Sequence, residues 1–298
     1  MKKGMKALLA LTMTGAVLTA MFAGCSSPNS GTAVGGSTAQ TQAGSTLSGS
    51  LNLTGSTSMA DVSNALAEKF QEKNPDVQIS VGGNGSGEAP TAVDSGTAQI
   101  GLLSREVKDS ENPDHYDIYK IGLDGIAIIV NPENGVSELT VEQIGQIYTG
   151  AVTNWKELGG ADLAIVTSGR EAASGTRSAF EELVTAGGET VQDRCKYASE
   201  YNSTGALKQA VAGNPGAIGY VSLSSVDETV KALTIEGVAP SEETVKDGSY
   251  KIQRPFIMIT KKGTEDALTR AFLEFIASAE GQQIILDDGV VPSPITVK

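Results

Sequence analysis

From Leu51 onward, apolar and polar positions alternate between two rhythms. Leu51-Asn52-Leu53 and Val77-Gln78-Ile79-Ser80-Val81 alternate with a period of two, which predicts strands. Between them, Val62, Leu66, Ala67 and Phe70 recur at helical spacing, and Asn74-Pro75 stops that helix. A short helix is predicted over 89–96 and a strand over 100–103. Ile126-Ala127-Ile128-Ile129-Val130 is a continuous apolar run, the pattern of a strand buried on both faces. A helix carrying Ile144 and Tyr148 follows; then come strand-like 163–167, helices over 174–183 and 206–211, and a strand over 217–221. Near the end, 255–259 reads as a strand, followed by helices over 265–278 and 279–286. This alternation predicts an α/β layer architecture, and no internal repeat is visible. The apolar runs at 126–130 and 255–259 are the best candidates for crossovers between two lobes. Lobe I then comprises 51–131 and 254–298, lobe II comprises 132–253, and a ligand is expected in the cleft between them.

The chain before Leu51 has other patterns. Lys2, Lys3 and Lys6 precede an apolar stretch from Ala7 to Phe22, shorter than the roughly 20 residues of a membrane-spanning helix. Phe22-Ala23-Gly24-Cys25 resembles the lipobox of bacterial lipoproteins, in which the cysteine becomes the lipidated first residue of the mature chain. Residues 1–24 are therefore read as a lipoprotein signal peptide and Cys25 as a lipidation site. Residues 25–50, rich in Ser, Thr, Gly, Ala and Gln, are read as a flexible tether.

Composition narrows the chemistry. The formal charge of -13 falls to -16 when the three leader lysines are removed. That acidity excludes a general nucleic-acid binder, which needs a basic face. Any anion must be held by local donors against the global field. Cys195, alone after Cys25, has no disulfide partner, and a single His115 excludes a His-based metal cluster. No cofactor is implied.

Three segments combine hydroxyls with small residues, each just before a predicted helix. They are Gly55-Ser56-Thr57-Ser58-Met59, Gly83-Asn84-Gly85-Ser86-Gly87 and Arg170-Glu171-Ala172-Ala173-Ser174-Gly175-Thr176-Arg177. Helix starts leave backbone N–H groups unpaired and carry partial positive charge. Glycine permits close approach, and Arg170 offers a two-pronged cationic contact. Convergence of such turns makes a tetrahedral-oxyanion site; singly, each is an ordinary helix cap.

Taken together, GSTSM at 55–59, NPDVQISV at 74–81, GNGSG at 83–87, IGLLSRE at 100–106, REAASGTR at 170–177 and NPGAIGYV at 214–221 resemble the phosphate-binding lipoproteins of bacterial phosphate ABC importers, of the Gram-positive kind. The resemblance spans about residues 51–298. It implies a type II periplasmic-binding-protein fold, two α/β lobes joined by two crossover segments, closing on one phosphate. Carried over by position, it implies phosphate contacts from Thr57, Ser58, Ser86, Ser104, Arg170, Ser174, Gly175 and Thr176. It also implies permease subunits and the membrane surface as partners, an extracytoplasmic location and no catalysis.

Ser104 departs from the family, where many members carry an aspartate that accepts the proton of monohydrogen phosphate; Glu88 or Glu106 is the substitute acceptor to consider. Gln99 and Leu103 depart as well. Arg105 is read as a residue behind the ligand shell, Arg177 as an ion-pairing residue and Trp155 as local packing; the segment 201–205 precedes a helix and is a candidate for lining the cleft, with a capping role for Ser203 or Thr204 favoured. Three alternatives stay open: another oxyanion such as sulfate or molybdate, a phosphate-ester hydrolase, and a surface adhesin or sensor subunit. The second lacks a GxSxG elbow, a P-loop and clustered metal ligands.

Overall fold

The computed structural model describes residues 47–297. The signal peptide, Cys25 and the tether up to residue 46 lie outside the described residues. The first strand, β1 (Gly49–Gly55), begins two residues before the expected Leu51. Gly49 and Ser50 are recruited because they pair in parallel with Val77 and Gln78 of β2 (Val77–Gly83). Between these strands runs α1 (Ala60–Lys73), which buries Val62, Leu66, Ala67 and Phe70 along one face. Its end is fixed by Asn74, whose backbone N–H donates to the carbonyls of Phe70 and Gln71 while its side-chain amide donates to Phe70 O at 2.9 Å. Pro75 has no N–H to continue the ladder. Helix α2 (Ala89–Asp94) and β3 (Ile100–Leu103) follow as expected.

The chain then enters a fifteen-residue strand, β4 (Tyr116–Val130), of which only the last five residues had a strand pattern. Its first part, Tyr116 to Gly125, runs antiparallel to the strand Gln253–Lys261; its last part, Ile126 to Val130, runs antiparallel to Ala217–Ser222. Thus β4 changes partner between Gly125 and Ile126, where Ile126 N donates to Ile252 O at 2.7 Å. The sheet order is β2, β1, β3, Gln253–Lys261, β4, Ala217–Ser222, Val166–Arg170, Ser199–Tyr201, with pairing parallel on both flanks and antiparallel in the middle.

Two principal cores follow from this change of partner. Leu51, Leu53, Leu66, Phe70, Phe256, Phe272 and Leu273 pack together, with Phe70 and Phe272 edge to face at 5.3 Å. Ile126, Ile128, Val130, Ile144, Tyr148, Trp155, Phe180 and Tyr220 form the other. Helices α3 (Val141–Thr149), α4 (Gly175–Leu183) and α5 (Thr204–Ala212) flank this second half. Trp155 packs locally, its indole N–H donating to Gly216 O at 2.9 Å.

The strand expected over 163–167 lies instead at Val166–Arg170. Leu163 and Ile165 are held by backbone bonds to Trp155 and Thr153, whereas Ser168–Arg170 gain a parallel ladder with Ser199–Tyr201. Arg170 thereby becomes the last residue of a strand paired on both sides.

Candidate functional site

The three donor-rich turns converge. Ser56 caps the short 3-10 turn Thr57–Met59 that leads into α1, its Oγ accepting from Ser58 N at 3.3 Å. Ser86 opens a second 3-10 turn leading into α2. Ser174 caps α4, accepting from Arg177 N at 3.3 Å. All of Ser58, Ser86, Ser104, Arg170, Ser174 and Thr176 are at most 3 % exposed. These buried groups bond to one another, as buried polar atoms must.

Contacts run across the turns. Ser58 Oγ lies 2.8 Å from Thr176 Oγ1, and Ser56 Oγ donates to Ser104 Oγ at 2.8 Å. Ser86 Oγ accepts from Ser104 N at 3.1 Å. Gly175 sits where a Cβ would lie 2.3 Å from Ser86 Oγ and 2.6 Å from Ser104 Oγ. Only a residue without a side chain lets the start of α4 come this close. Gly87 N donates to Ala173 O at 2.9 Å, tying the second turn to the third through the backbone.

Arg170 is the charge at the centre. Its Nε and Nη2 donate to both oxygens of Glu171, at 2.9 and 2.8 Å. Nη2 also donates to Thr57 Oγ1 at 3.0 Å and Nη1 to Thr204 Oγ1 at 3.1 Å. Its backbone is held from behind. Arg170 N donates to Tyr220 Oη at 3.2 Å, Tyr220 donates to Tyr197 Oη at 3.2 Å, and Tyr197 donates to Glu181 at 2.8 Å. Arg177 closes the ring, donating to Glu181 at 2.9 Å and to Arg170 O at 2.9 Å. Burial disfavours the Arg177 charge, but the hydrogen bond and charge of Glu181 outweigh it and raise its pKa. Arg177 is thus an ion-pairing residue, as expected.

Other candidates are held by partners of their own or exposed. Arg105 donates through both terminal nitrogens to Glu111, at 2.8 and 2.6 Å, and to Glu106 O. Glu88 and Glu106, the two substitute acceptors for the position of Ser104, are exposed. Ser203 is the cap of α5. Cys195 packs half-buried against the second core, and burial pushes its thiol up to about 11. Among the described residues, no three His, Cys, Asp or Glu side chains group as a metal site.

Sequence reasoning missed several participants. Ser56 lay inside a flagged motif, but nothing marked it as the residue that bonds Ser104. For Thr204 the sequence offers a place in a segment beside the cleft and favours a capping role, not a bond to Arg170. Beneath Ser104 is a wholly buried ion pair, Arg254 with Asp124 at 2.9 Å, and Arg254 Nη1 donates to Ser104 O at 3.3 Å. Ser222 donates to Asp124 at 2.6 Å. Burial pushes the Asp124 carboxyl up, and Arg254 and Ser222 pull it back. No local signal could reveal a pair 130 residues apart in sequence.

Comparison with known proteins identifies relatives of this chain. Residues 40–280 match the family described as the PBP superfamily domain. A phosphate-binding protein PstS of Bacillus subtilis is 36% identical over 249 residues, covering 82% of this chain and 81% of that protein. A putative phosphate ABC transporter substrate-binding protein of Clostridium perfringens, solved with bound phosphate, superposes with a TM-score of 0.78 at 39% identity, covering 82% of this chain and all of that one. An ABC-type phosphate transport receptor of Vibrio cholerae superposes at 0.68 with 34% identity and the same coverage of this chain.

Proposed function

This chain belongs to the PstS family of phosphate-binding proteins, and from that premise we propose that it captures inorganic phosphate in the cluster around Arg170 and delivers it to the permease subunits of an ABC importer. One observation carries the reading. Three helix starts carry Thr57, Ser58, Ser86, Ser174, Gly175 and Thr176; contacts across the turns join them to one another and to Ser104 just past the end of β3, and Thr57 accepts from the buried Arg170 guanidinium. Preorganised hydroxyl and amide donors at helix N-termini, with one arginine fork, suit a tetrahedral oxyanion. The role is binding without catalysis.

The two cores support a two-lobe division. We draw it close to the sequence expectation, with 51–131 and 254–298 against 132–253. The partner change on β4 moves the first boundary towards Gly125. The cluster joins residues of both lobes, so ligand binding and closure are one event. An extracytoplasmic location with a lipid anchor at Cys25 completes the reading. It rests on the leader lysines, the apolar stretch and Ala23-Gly24-Cys25. Among the described residues no helix is long and apolar enough to cross a membrane. Cys25→Ser should release the protein to the medium, and retention at the membrane would refute the anchor.

Isothermal calorimetry with phosphate, sulfate and molybdate at two pH values tests the ligand. Phosphate should bind at micromolar affinity or tighter, about -8 kcal/mol. Sulfate binding as tightly as phosphate would favour a general oxyanion carrier, the reading that Ser104 keeps open by lacking a carboxylate. Hydrolysis of a phosphomonoester that depends on Arg170 would overturn the binding-only role.

A further inference from the structure

Thr204 opens α5, yet it does no capping. That role belongs to Ser203, whose Oγ accepts from Ala206 N at 3.2 Å. The Thr204 hydroxyl is left to point elsewhere, and it points into the cluster. The residue is 6 % exposed. Its Oγ1 accepts from Arg170 Nη1 at 3.1 Å and lies 3.2 Å from Thr57 Oγ1 and 3.3 Å from Ser58 Oγ. Its backbone N–H donates to Thr57 Oγ1 at 3.3 Å. Both of its polar groups therefore reach across to the start of α1.

From these contacts we propose that Thr204 is a further oxyanion ligand, so that the site draws on a fourth helix start in addition to the three donor-rich turns. The inference rests on the phosphate reading above. A hydroxyl that accepts from the guanidinium has its own proton free to donate to an anion held by that guanidinium. The backbone N–H of Thr204, in the first turn of α5, has no partner within the helix and donates instead to Thr57 Oγ1, which ties the positive end of α5 to the same cluster. Thr57 and Thr204 also stand in the wall of a cavity of ≈ 440 Å³ with Ala60, Asp61, Lys208 and Ser225.

The test is calorimetry with inorganic phosphate on the full mature protein and three variants. Thr204→Val keeps the shape and removes the hydroxyl; affinity should fall about tenfold, the loss of one charge-assisted hydrogen bond. Thr204→Ser should restore affinity to within about twofold of wild type. Ser203→Ala removes the helix cap; it should lower the thermal midpoint and leave affinity within about threefold. Thr204→Val binding like wild type would overturn the proposal. So would a Ser203→Ala loss as large as that of Thr204→Val, because the effect would then be helix capping. If the wild-type protein itself fails to bind phosphate, the phosphate reading falls first and this one with it.

Discussion

Replacing Arg170 by alanine removes the only charged donor among the proposed ligand residues. The side chain is 2 % exposed, and two of its nitrogens, Nη1 and Nη2, reach the hydroxyls of Thr204 and Thr57 that line the site. A hydrogen bond to a charged group contributes about 1.5–3 kcal/mol, so losing two such contacts to a bound anion costs about 3 kcal/mol or more. Each 1.4 kcal/mol is tenfold, which makes the expected loss in phosphate affinity about a hundredfold or greater. The Glu171 carboxylate, left without its fork, adds repulsion, although its partial exposure lets it turn to solvent. Arg170→Lys keeps a charge without the bidentate geometry and should fall between, about tenfold. Ser86→Ala removes one neutral hydroxyl and should cost about 1 kcal/mol, roughly fivefold. Calorimetric titration with phosphate measures all three, and thermal unfolding confirms that each variant is folded. If Arg170→Ala and Ser86→Ala lose equally little, Arg170 is a structural tie between Glu171 and Tyr201 O and the site lies elsewhere.

Further outcomes follow from single contacts. Gly175→Ala places a methyl group against two buried serine hydroxyls, and phosphate affinity should drop about tenfold or more because Ser86 and Ser104 must both move; unchanged affinity would show that the start of α4 has slack. Tyr220→Phe strips the acceptor from the buried Arg170 N–H and should lower stability by about 1–3 kcal/mol in urea denaturation, with a smaller loss of affinity; no change in either would remove the tyrosine pair from the support of Arg170. Asp288 has a buried oxygen without a partner, and burial, then the charges of Asp61 and Asp124, push its carboxyl up to about 7. The folded state then holds a proton that the unfolded chain releases near pH 4, so this contribution is complete below about pH 4 and is lost as the pH rises to 7. Solvent screening at this partly exposed group limits the effect to about 1–2 kcal/mol, and Asp288→Asn should recover it at pH 8 but not at pH 4 in urea midpoints; equal gains at both would refute the assignment.

What could be read in the sequence was local. Helix α1 was legible because Val62, Leu66 and Phe70 repeat at helical spacing and Asn74-Pro75 ends the repeat. The three hydroxyl turns were legible for the same reason: each motif is contiguous. The first ten residues of β4 were not. Asp117, Lys120 and Asp124, with Gly122 and Gly125, break the apolar pattern that marks a buried strand. Asp124 can occupy such a strand because Arg254 and Ser222 satisfy it, and those partners are brought by pairings across 130 and 98 residues. Thr204 was hidden differently. Sequence marks a Ser-Thr pair before a helix as a cap, but it does not say which of the two caps and which is left for other work. The geometry assigns the cap to Ser203, and that frees Thr204 for Arg170.

The arrangement also decides how the field of the whole molecule acts on the ligand. The chain carries -13 overall, -16 once the leader lysines are gone. Each buried guanidinium near the cluster is already matched, Arg170 by Glu171 and Arg254 by Asp124. The site therefore offers oriented donors with little net charge, while the surface repels an approaching anion. Screening shortens the reach of that repulsion from about 30 Å at 0.01 M salt to about 3 Å at 1 M, but acts far less on groups buried in contact with the ligand. Added sodium chloride should thus speed phosphate association, with the dissociation rate nearly constant, so affinity rises with salt. Stopped-flow and calorimetric titrations across that range measure this. An affinity that falls as salt is added would mean that unpaired surface cations, not the paired and buried cluster, hold the anion.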